Sequence, residues 1–421
     1  MQQRLADEIH AGAPLTRRLA LASPAFRTLL ERALAGGAEL SIADGVRCLE
    51  AEGGDLVALI AAADALRAAA VGDDVTYVVN RNLNFTNICF VGCRFCAFKR
   101  QRWEADAYNR PVEAILAKVQ EAVDRGATEI CMQGGINPEM PAFTYRDLLR
   151  AIKGAFPQIH MHAFSPMEIM YGARRTDMSY RDYLTMLKDA GLGTIPGTAA
   201  EILDDDVREI LSNKKVDVRT WIDIVTTAHD LGIRSTSTVM YGHVETPRHV
   251  AAHIALLRAL QRQTGGFTEF VPLRFIHDNT ELYRDGLVQD PPPKGLYDLR
   301  VYATARLMLH GVIDNVQTSW VKINHELAQL SLLAGCNDFG GTLMEESISR
   351  EAGADAGEYT PVAEIRRLIE AVGRRPVERT TLYEKLHVGE ESHAREDATD
   401  ADGAGGRGRG REVPARPDPC H

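Results

Sequence analysis

The chain has 421 residues, of which 45% are hydrophobic and 25% charged, and its formal net charge at pH 7 is -10. This length allows a substantial buried core, in one large barrel or in two to three smaller domains. The negative charge argues against nucleic acid as a partner, because nucleic-acid-binding surfaces neutralise phosphates with clustered Lys and Arg.

The cysteines and the N-terminal sequence indicate the compartment. Seven cysteines are present, an odd number, and four of them are widely scattered, so a disulfide framework is not expected and a reducing compartment fits best. These four are Cys48, Cys131, Cys336 and Cys420. The N-terminus lacks the apolar stretch of a signal peptide, and no run approaches the ~20 apolar residues that span a bilayer. We therefore expect a cytoplasmic protein with no membrane partner.

In chain order, residues 1–74 come first and are rich in Ala, Leu, Arg and Glu, with apolar residues at helical spacing in 56–66. We expect a helical N-terminal extension here. From Val75 onward, short β-branched runs alternate with longer amphipathic stretches, the pattern of repeated βα units around a parallel sheet. The predicted strands are 75–79, 129–133, 159–163, 193–195, 234–240, 269–272 and 315–317. The predicted helices are 112–125, 144–154, 179–190, 218–231, 247–262, 295–309 and 322–334.

Seven strands and seven helices nearly make a (β/α)8 barrel. A last strand around Asp338 has weak propensity, and a helix at 361–372 would complete the ring. The predicted fold class is therefore α/β, a TIM-like barrel over 75–375, which exceeds the ~250 residues typical of such barrels and leaves room for active-site loops.

Residues 376–421 form the predicted C-terminal segment. From about 388 it has almost no bulky apolar residues, so it cannot offset its ordering entropy and we predict disorder there. Its Arg-Gly tract at 403–411 is also compatible with RNA contact, but the tract is short and follows acidic residues, so a solvated tail is favoured.

Three cysteines stand within eight residues, at Cys-x3-Cys-x2-Cys spacing: Cys89, Cys93 and Cys96. A 4Fe-4S cluster has four irons and usually takes four cysteines, so three would leave one iron open to another ligand. A structural zinc site normally joins two spaced ligand pairs, and no histidine follows this run before His160. The spacing therefore favours an iron-sulfur cluster with an open iron over a zinc site or chance clustering.

This cysteine spacing resembles the signature of the radical S-adenosylmethionine (SAM) superfamily. The resemblance implies that Cys89, Cys93 and Cys96 hold a 4Fe-4S cluster whose open iron chelates SAM. Gly134-Gly135 resembles the superfamily's glycine pair, whose backbone grips the SAM amino group, although a tight turn is its ordinary interpretation.

Other SAM contacts follow from the same resemblance. The segment Gly193 to Glu201 resembles the part of the family that lies beside the adenine, with Glu201 as a polar contact to SAM. The alternative for Glu201 is an acid in the first turn of a helix, where the helix dipole favours it. Phe95, Gln133 and Ser165 are the remaining residues that the resemblance assigns to SAM binding.

Histidines near strand ends are candidates for proton transfer. His162 and His243 are the candidate catalytic residues, because they have better access to the centre of a barrel than His277 or His325. A hydrogen-bonded structural histidine is the ordinary alternative for each.

Several longer segments resemble the branch of the superfamily that holds the deazaflavin (FO) synthase subunits and the futalosine-pathway menaquinone enzymes. They are 82–87, 132–139, 162–168, 195–202 and 240–246. Residues 79–82, 196–201 and 270–275 are most similar to the FO synthase subunit 2 family. Arg274 departs from the neutral residue expected there and leaves the details of the substrate pocket open.

The resemblance implies a radical SAM transferase of coenzyme F-420 biosynthesis. Its substrates would be L-tyrosine, which loses its side chain as a 4-hydroxybenzyl group and leaves 2-iminoacetate, and 5-amino-6-(D-ribitylamino)uracil, which receives that group. FO synthase subunit 1, a second radical SAM protein, and an electron donor would be its partners. The closed barrel suits a reactive radical that must be kept from other hydrogen donors.

Two other functions stay open. The nearer is a menaquinone-pathway radical SAM enzyme, either dehypoxanthine futalosine cyclase or aminofutalosine synthase, with the same cluster and another substrate. The more distant is a non-enzymatic iron-sulfur or zinc protein.

Overall fold

The computed structural model describes residues 14–36, 39–198, 200–288 and 291–386. Four helices come first, α1 Leu15–Leu19, α2 Pro24–Leu34, α3 Ile42–Leu49 and α4 Gly53–Val71. Their apolar side chains share one buried cluster with residues of later helices, among them Leu257 and Leu309. The N-terminal helices are therefore packed onto the helices that surround the sheet.

All paired strands of the two sheets are parallel. One sheet has the order β2-β3-β4-β5-β6-β7, and the other has the order β8-β1-β9. The strands are β1 Asp74–Val78, β2 Asn80–Asn84, β3 Glu129–Gln133, β4 His160–Ala163, β5 Thr194–Ile195, β6 Arg234–Tyr241, β7 Phe267–Arg274, β8 Asp338–Gly341 and β9 Arg375–Glu378.

Two parallel bridges join the sheets into a ring. Phe270 of β7 pairs with Val316, and Gln317 pairs with Asp338 of β8. On the other side, β8 pairs with β1, and the chain continues from β1 through Val79 into β2. The strands thus follow one another around a closed TIM-like barrel, as the alternating sequence pattern predicted.

Most of the remaining helices lie between consecutive strands, where βα units place them. They are α5 Val112–Asp124, α6 Thr144–Ala155, α7 Pro166–Thr176, α8 Tyr180–Asp189, α9 Asp205–Ser212, α10 Val218–Asp230, α11 Pro247–Thr264, α12 Glu281–Arg284, α13 Leu296–Leu309, α14 Trp320–Ile323, α15 His325–Leu332, α16 Ser347–Ala352 and α17 Val362–Glu370.

The predicted strands and helices of the barrel are confirmed apart from the following differences. Residues 315–317 contribute two isolated bridges and no extended strand. The predicted helix 322–334 is wrong as a single element, because Asn324, at φ 81°, separates α14 from α15. Several elements were not predicted: the strands β2 and β9 and the helices α7, α9, α12 and α16. The boundaries proposed for the three parts of the chain remain predictions, and the tail from about 388 lies outside the described residues.

The segment after β9 covers the N-terminal end of the barrel. Arg379 is buried, pairs with Asp338 through Nη2 and Oδ1 at 3.1 Å, and lies 3.6 Å from a carboxylate oxygen of Glu269. The Tyr383 ring lies 3.9 Å from the Arg379 guanidinium carbon, and its hydroxyl donates to Glu269. This arginine therefore balances two buried carboxylates at the end of the barrel opposite the strands' carboxyl ends.

Within the described ranges, none of the helices is both long enough and apolar enough to span a bilayer.

Candidate active site

The cysteine loop, residues 85–111, follows β2 at the carboxyl end of the barrel. Its base is fastened by Asn87, whose side chain donates to the Asp106 carbonyl at 2.9 Å and accepts from the Tyr108 amide at 2.7 Å. The Cys89 amide donates to the Arg100 carbonyl at 3.1 Å. These bonds form a fixed loop that presents its three cysteines from one short stretch of backbone.

The three thiols of the cysteine loop are free, with Cys93 buried and Cys89 and Cys96 partly buried. Burial raises the pKa of all three thiols, and the nearby Lys215 ammonium opposes this increase. A bound metal would deprotonate them, since the thiolate is the ligand form. This donor set fits the predicted cluster, for which each thiolate binds a different iron.

No group of three or more His, Cys, Asp or Glu side chains converges on a single-ion site within the described ranges. A four-iron cluster does not need ligands that converge on one ion, because each of its cysteines binds a different iron.

The glycine turn, Gly134 and Gly135, follows β3 and touches the cysteine loop. A Cβ on Gly135 would lie 2.3 Å from the Ile88 carbonyl oxygen and 3.0 Å from the Cys89 Cβ. A Cβ on Gly134 would lie 2.4 Å from the Phe85 ring. Both positions therefore require glycine for the close approach of two loops, and no positive φ is involved.

Ser165 caps the helix α7 and is paired with Glu168 in a capping box. The Ser165 hydroxyl donates to Oε2 of Glu168 at 2.8 Å, and the Gly134 amide donates to Oε1 at 3.1 Å. Burial raises the pKa of Glu168 to about 7. Glu168 thus connects the glycine turn to the loop after β4, a connection that sequence reasoning missed although Ser-x-x-Glu was a visible signal.

Glu201 lies at φ 40°, and its buried carboxylate accepts from Nζ of Lys215 at 2.6 Å. That Nζ also stands 4.8 Å from the centre of the Phe95 ring. Burial lowers the pKa of Lys215, but the charge and hydrogen bond of Glu201 and the charge of Cys93 together raise it, so the net direction is upward. Glu201, Lys215 and Phe95 form a charged cluster beside Cys93.

A cavity of about 290 Å³ opens between these loops at the carboxyl ends of the strands. Four of the residues predicted for the site line it: Phe95, Cys96, Gln133 and Glu201. Its other polar lining residues, which sequence reasoning did not assign to the site, are Asn82, Asn84, Cys131, Thr198, Thr238, Arg274, Gln317, Ser319, Lys322 and Glu346. This volume is close to the lower end of small-ligand pockets, about 300 Å³.

Neither predicted histidine lines this cavity. His162 is buried, its Nδ1 lies 2.7 Å from the Thr194 hydroxyl, and burial lowers its pKa to about 4. His243 has its Nε2 3.0 Å from the Met240 carbonyl and accepts at Nδ1 from the Val244 amide. Their catalytic role remains a prediction, and both are hydrogen-bonded as structural histidines are.

Arg274 lines the cavity with its charge already paired. Its Nη1 contacts both carboxylate oxygens of Asp298, at 2.8 and 2.9 Å, and Asp298 also accepts from the Tyr241 hydroxyl at 2.7 Å. Asp298 of α13 therefore neutralises Arg274, which stands where the sequence analysis expected a neutral residue.

Comparisons with known proteins agree on one superfamily. Residues 83–257 match the radical SAM superfamily, and residues 264–392 match the CofH/MqnC C-terminal region. Among solved structures, methylornithine synthase has a TM-score of 0.65 at 17% identity, covering 83% of this chain and 97% of its own. The hydrogenase maturase HydG from Carboxydothermus hydrogenoformans has a TM-score of 0.67 at 16% identity, covering 91% and 86%. At these identities the likeness shows the fold.

Sequence relatives are much closer. The "FO synthase" of Streptomyces avermitilis is 53% identical over 344 residues, which are 82% of this chain and 40% of the relative. That of Mycobacterium tuberculosis is 54% identical, covering 80% and 39%. The chain therefore spans about two fifths of the length of these relatives. The "5-amino-6-(D-ribitylamino)uracil--L-tyrosine 4-hydroxyphenyl transferase" of Methanothermobacter thermautotrophicus is 50% identical over 79% of this chain and 91% of its own length.

Proposed function

The chain belongs to the radical SAM superfamily, in the family of the Methanothermobacter 4-hydroxyphenyl transferase, and on this basis we propose that it is a radical SAM transferase acting on L-tyrosine. The reaction would move the 4-hydroxybenzyl group of tyrosine to 5-amino-6-(D-ribitylamino)uracil and release 2-iminoacetate. The observation that carries this proposal is the 50% identity over 91% of that transferase.

For the cofactors, we propose that Cys89, Cys93 and Cys96 hold a 4Fe-4S cluster. When bound, the cluster and SAM supply the one-electron chemistry that starts a radical reaction. Gln133, the glycine turn and Ser165 lie on the two loops beside the cysteines and would position SAM, with Phe95 and Glu201 lining the same cavity.

The chain's own contribution is a confined cavity between the barrel and its loops. Apolar side chains make part of its wall, among them Leu343 and Val321. Such a wall restricts the number of hydrogen donors that a radical could meet and holds the substrate in one position.

We propose three further features of the function. A partner protein equivalent to FO synthase subunit 1 would supply the ring closure, since the FO synthase relatives are more than twice as long as the matched region. An electron donor would reduce the cluster. A cytoplasmic location agrees with the free state of all six cysteines in the described part of the chain.

The test is a reaction of the cluster-loaded protein with SAM, a strong reductant, ring-labelled L-tyrosine and the diaminouracil under anaerobic conditions. We expect 5'-deoxyadenosine, methionine, 2-iminoacetate or glyoxylate, and a labelled hydroxybenzyl adduct of the uracil. Cys93→Ala and a reaction without the uracil serve as controls. SAM cleavage without a labelled adduct would overturn the transferase assignment and leave the superfamily intact.

A second candidate is a menaquinone-pathway radical SAM enzyme, because the matched C-terminal region is shared by both groups under the description CofH/MqnC. Dehypoxanthine futalosine and the aminofutalosine precursors, offered in the same assay, distinguish this candidate by their consumption.

A further inference from the structure

Lys322 and Glu346 are two charged residues that line the cavity and form no ion pair with each other. Lys322 lies on α14, and Glu346 precedes α16. The Lys322 side chain makes no hydrogen bond and no ion pair with any residue that the structure describes, although Glu346 and Cys96 act on it electrostatically. Both residues line the cavity.

Lys322 is placed by a fixed element. Its neighbour Trp320 is buried and donates from Nε1 to the Gly341 carbonyl at 3.0 Å. Burial lowers the pKa of Lys322, the direction expected of an ammonium group without a partner. An anionic ligand at this position would return the pKa toward its ordinary value.

Glu346 is buried at 7% exposure. Its Oε2 accepts from the Ser349 amide at 2.8 Å, and no hydrogen bond within the described ranges engages Oε1. One carboxylate oxygen therefore caps α16 and the other remains for a ligand.

The backbone that delivers Glu346 is strained. Leu343, Met344 and Glu345 have φ values of 65°, 44° and 135°, unusual for residues with side chains. Ion pairs fasten Glu345 to Lys118 at 2.7 Å and to Arg81 at 2.5 Å. Backbone strain of this kind persists only where surrounding contacts impose it. Here the strained segment places Leu343 and Glu346 in the wall of the cavity.

An ammonium and a carboxylate that face one cavity without pairing are complementary to a ligand that carries both charges. We propose that Lys322 binds the α-carboxylate and Glu346 the α-ammonium of the amino-acid substrate. The aromatic end of that substrate would then lie against the apolar wall. This inference rests on the proposed function for the identity of the amino acid.

The other reactants of the proposed function fit this pair less well. The diaminouracil with its ribityl chain carries no fixed opposite charges. SAM has an amino-acid group, but in the proposed function its amino and carboxylate groups would bind the open iron of the cluster. Both compounds are nevertheless included in the test, because each would give a different result.

The test measures equilibrium binding to the cluster-loaded protein with SAM and without reductant, so that no turnover occurs. The substrate probes are L-tyrosine, tyramine, which lacks the carboxylate, and 3-(4-hydroxyphenyl)propanoate, which lacks the ammonium group. Binding of SAM and of the diaminouracil is measured separately. The variants are Lys322→Met and Glu346→Gln. Lys214→Met and Glu209→Gln, at exposed positions, are the matched controls.

We expect Lys322→Met to weaken L-tyrosine binding by about 10- to 100-fold, because a charge-assisted hydrogen bond is lost. Tyramine binding should change less than about threefold, which also shows that the variant is folded. Glu346→Gln should weaken L-tyrosine similarly and leave the propanoate nearly unchanged. Both controls should bind all probes as the parent does.

The assignment is overturned if Lys322→Met weakens tyramine as much as L-tyrosine, leaves L-tyrosine unchanged, or weakens SAM or the diaminouracil instead. Failure of the proposed function has a different result: the parent protein would bind L-tyrosine with the expected variant pattern but form no uracil adduct. The two outcomes are therefore separable.

Discussion

Each cysteine of the cysteine loop supplies a thiol that alanine cannot replace. We expect Cys89→Ala, Cys93→Ala and Cys96→Ala each to lose the SAM-reactive 4Fe-4S centre, seen as lower iron and sulfide content and the absence of SAM cleavage. Cys48→Ala and Cys131→Ser, which change thiols outside this loop, should keep it. A Cys93→Ala protein that cleaves SAM at the parental rate would contradict the assignment.

The buried Glu168 predicts a pH effect on stability. Its pKa in the folded chain is about 7 and its ordinary value is 4.5, so the folded state holds its proton over that interval. The stability contributed by this group is therefore present below pH 4.5 and lost as the pH rises to 7, with a slope of up to about 1.4 kcal/mol per pH unit.

Glu168→Gln keeps an acceptor for the Gly134 amide and removes the titration. Urea unfolding of the metal-free protein at pH 5 and pH 7 should show a smaller loss of stability in this variant than in the parent. Glu209→Gln, at an exposed position, is the control. Identical pH dependence of stability in the parent and in Glu168→Gln would contradict the role of Glu168 titration.

The residues of the site differ in how far the sequence predicts them. The cysteines and Gly134-Gly135 have fixed spacing and a backbone requirement that can be read from the chain. Glu346 had no such signal, because its position depends on three successive positive φ angles at residues that rarely adopt them. Lys322 could not be predicted, because its significance depends on the absence of an ion-pair partner for its side chain among the residues that the structure describes.

At the scale of the elements, the glycine turn and the cysteine loop approach each other closely. Gly135→Ala would place a Cβ 2.3 Å from the Ile88 carbonyl oxygen, so one loop must move. We expect this variant to bind SAM at least about tenfold more weakly, as measured by equilibrium dialysis.

The matched control is Gly154→Ala in α6, where a Cβ would have no neighbour within 4 Å. A helical Gly→Ala change stabilises by about 0.4–1 kcal/mol and should leave SAM binding unchanged. Parental SAM affinity in Gly135→Ala would show that the close approach is not needed.

Elements with strong periodicity were predicted well, and those that depend on neighbours were not. Residues 129–133 and 112–124 follow the predicted bounds closely, since alternation and helical spacing are local properties. The helix α7 begins only three residues after β4 ends, and its Ser-Pro-x-Glu start was a signal that went unused. The helices α14 and α15 are separated at Asn324, which has a φ of 81° and whose side chain accepts from the Leu327 amide at 3.0 Å as the cap of α15.

For the whole molecule, Arg379 links the last part of the described chain to the barrel interior. Arg379→Met would leave Asp338 and Glu269 buried without their cation, which typically costs about 3–5 kcal/mol. Urea unfolding measures this loss. Arg375→Met removes an exposed guanidinium from Asp74, which keeps its contact with Lys385, and should cost much less. Equal effects of the two changes would contradict the interpretation of Arg379.

The buried contacts of Arg379 also predict the effect of C-terminal truncation. A protein ending at Val388 retains Arg379 and Tyr383 and should load its cluster and turn over normally, as the composition of the tail suggests. A protein ending at Glu378 should be much less stable or insoluble. Loss of activity on removal of residues 389–421 would instead indicate a function for the tail.

The order of the strands also bears on how the protein is made. The cysteine loop is translated before the elements that close the barrel, because β8 begins 242 residues after Cys96 and Arg379 lies 283 residues after it. At about 5–20 residues per second, the ribosome needs roughly 15–60 s for that interval. The three thiols are therefore synthesised well before the ring can close, and a nascent chain gives cluster-assembly proteins a period of access that the finished barrel does not.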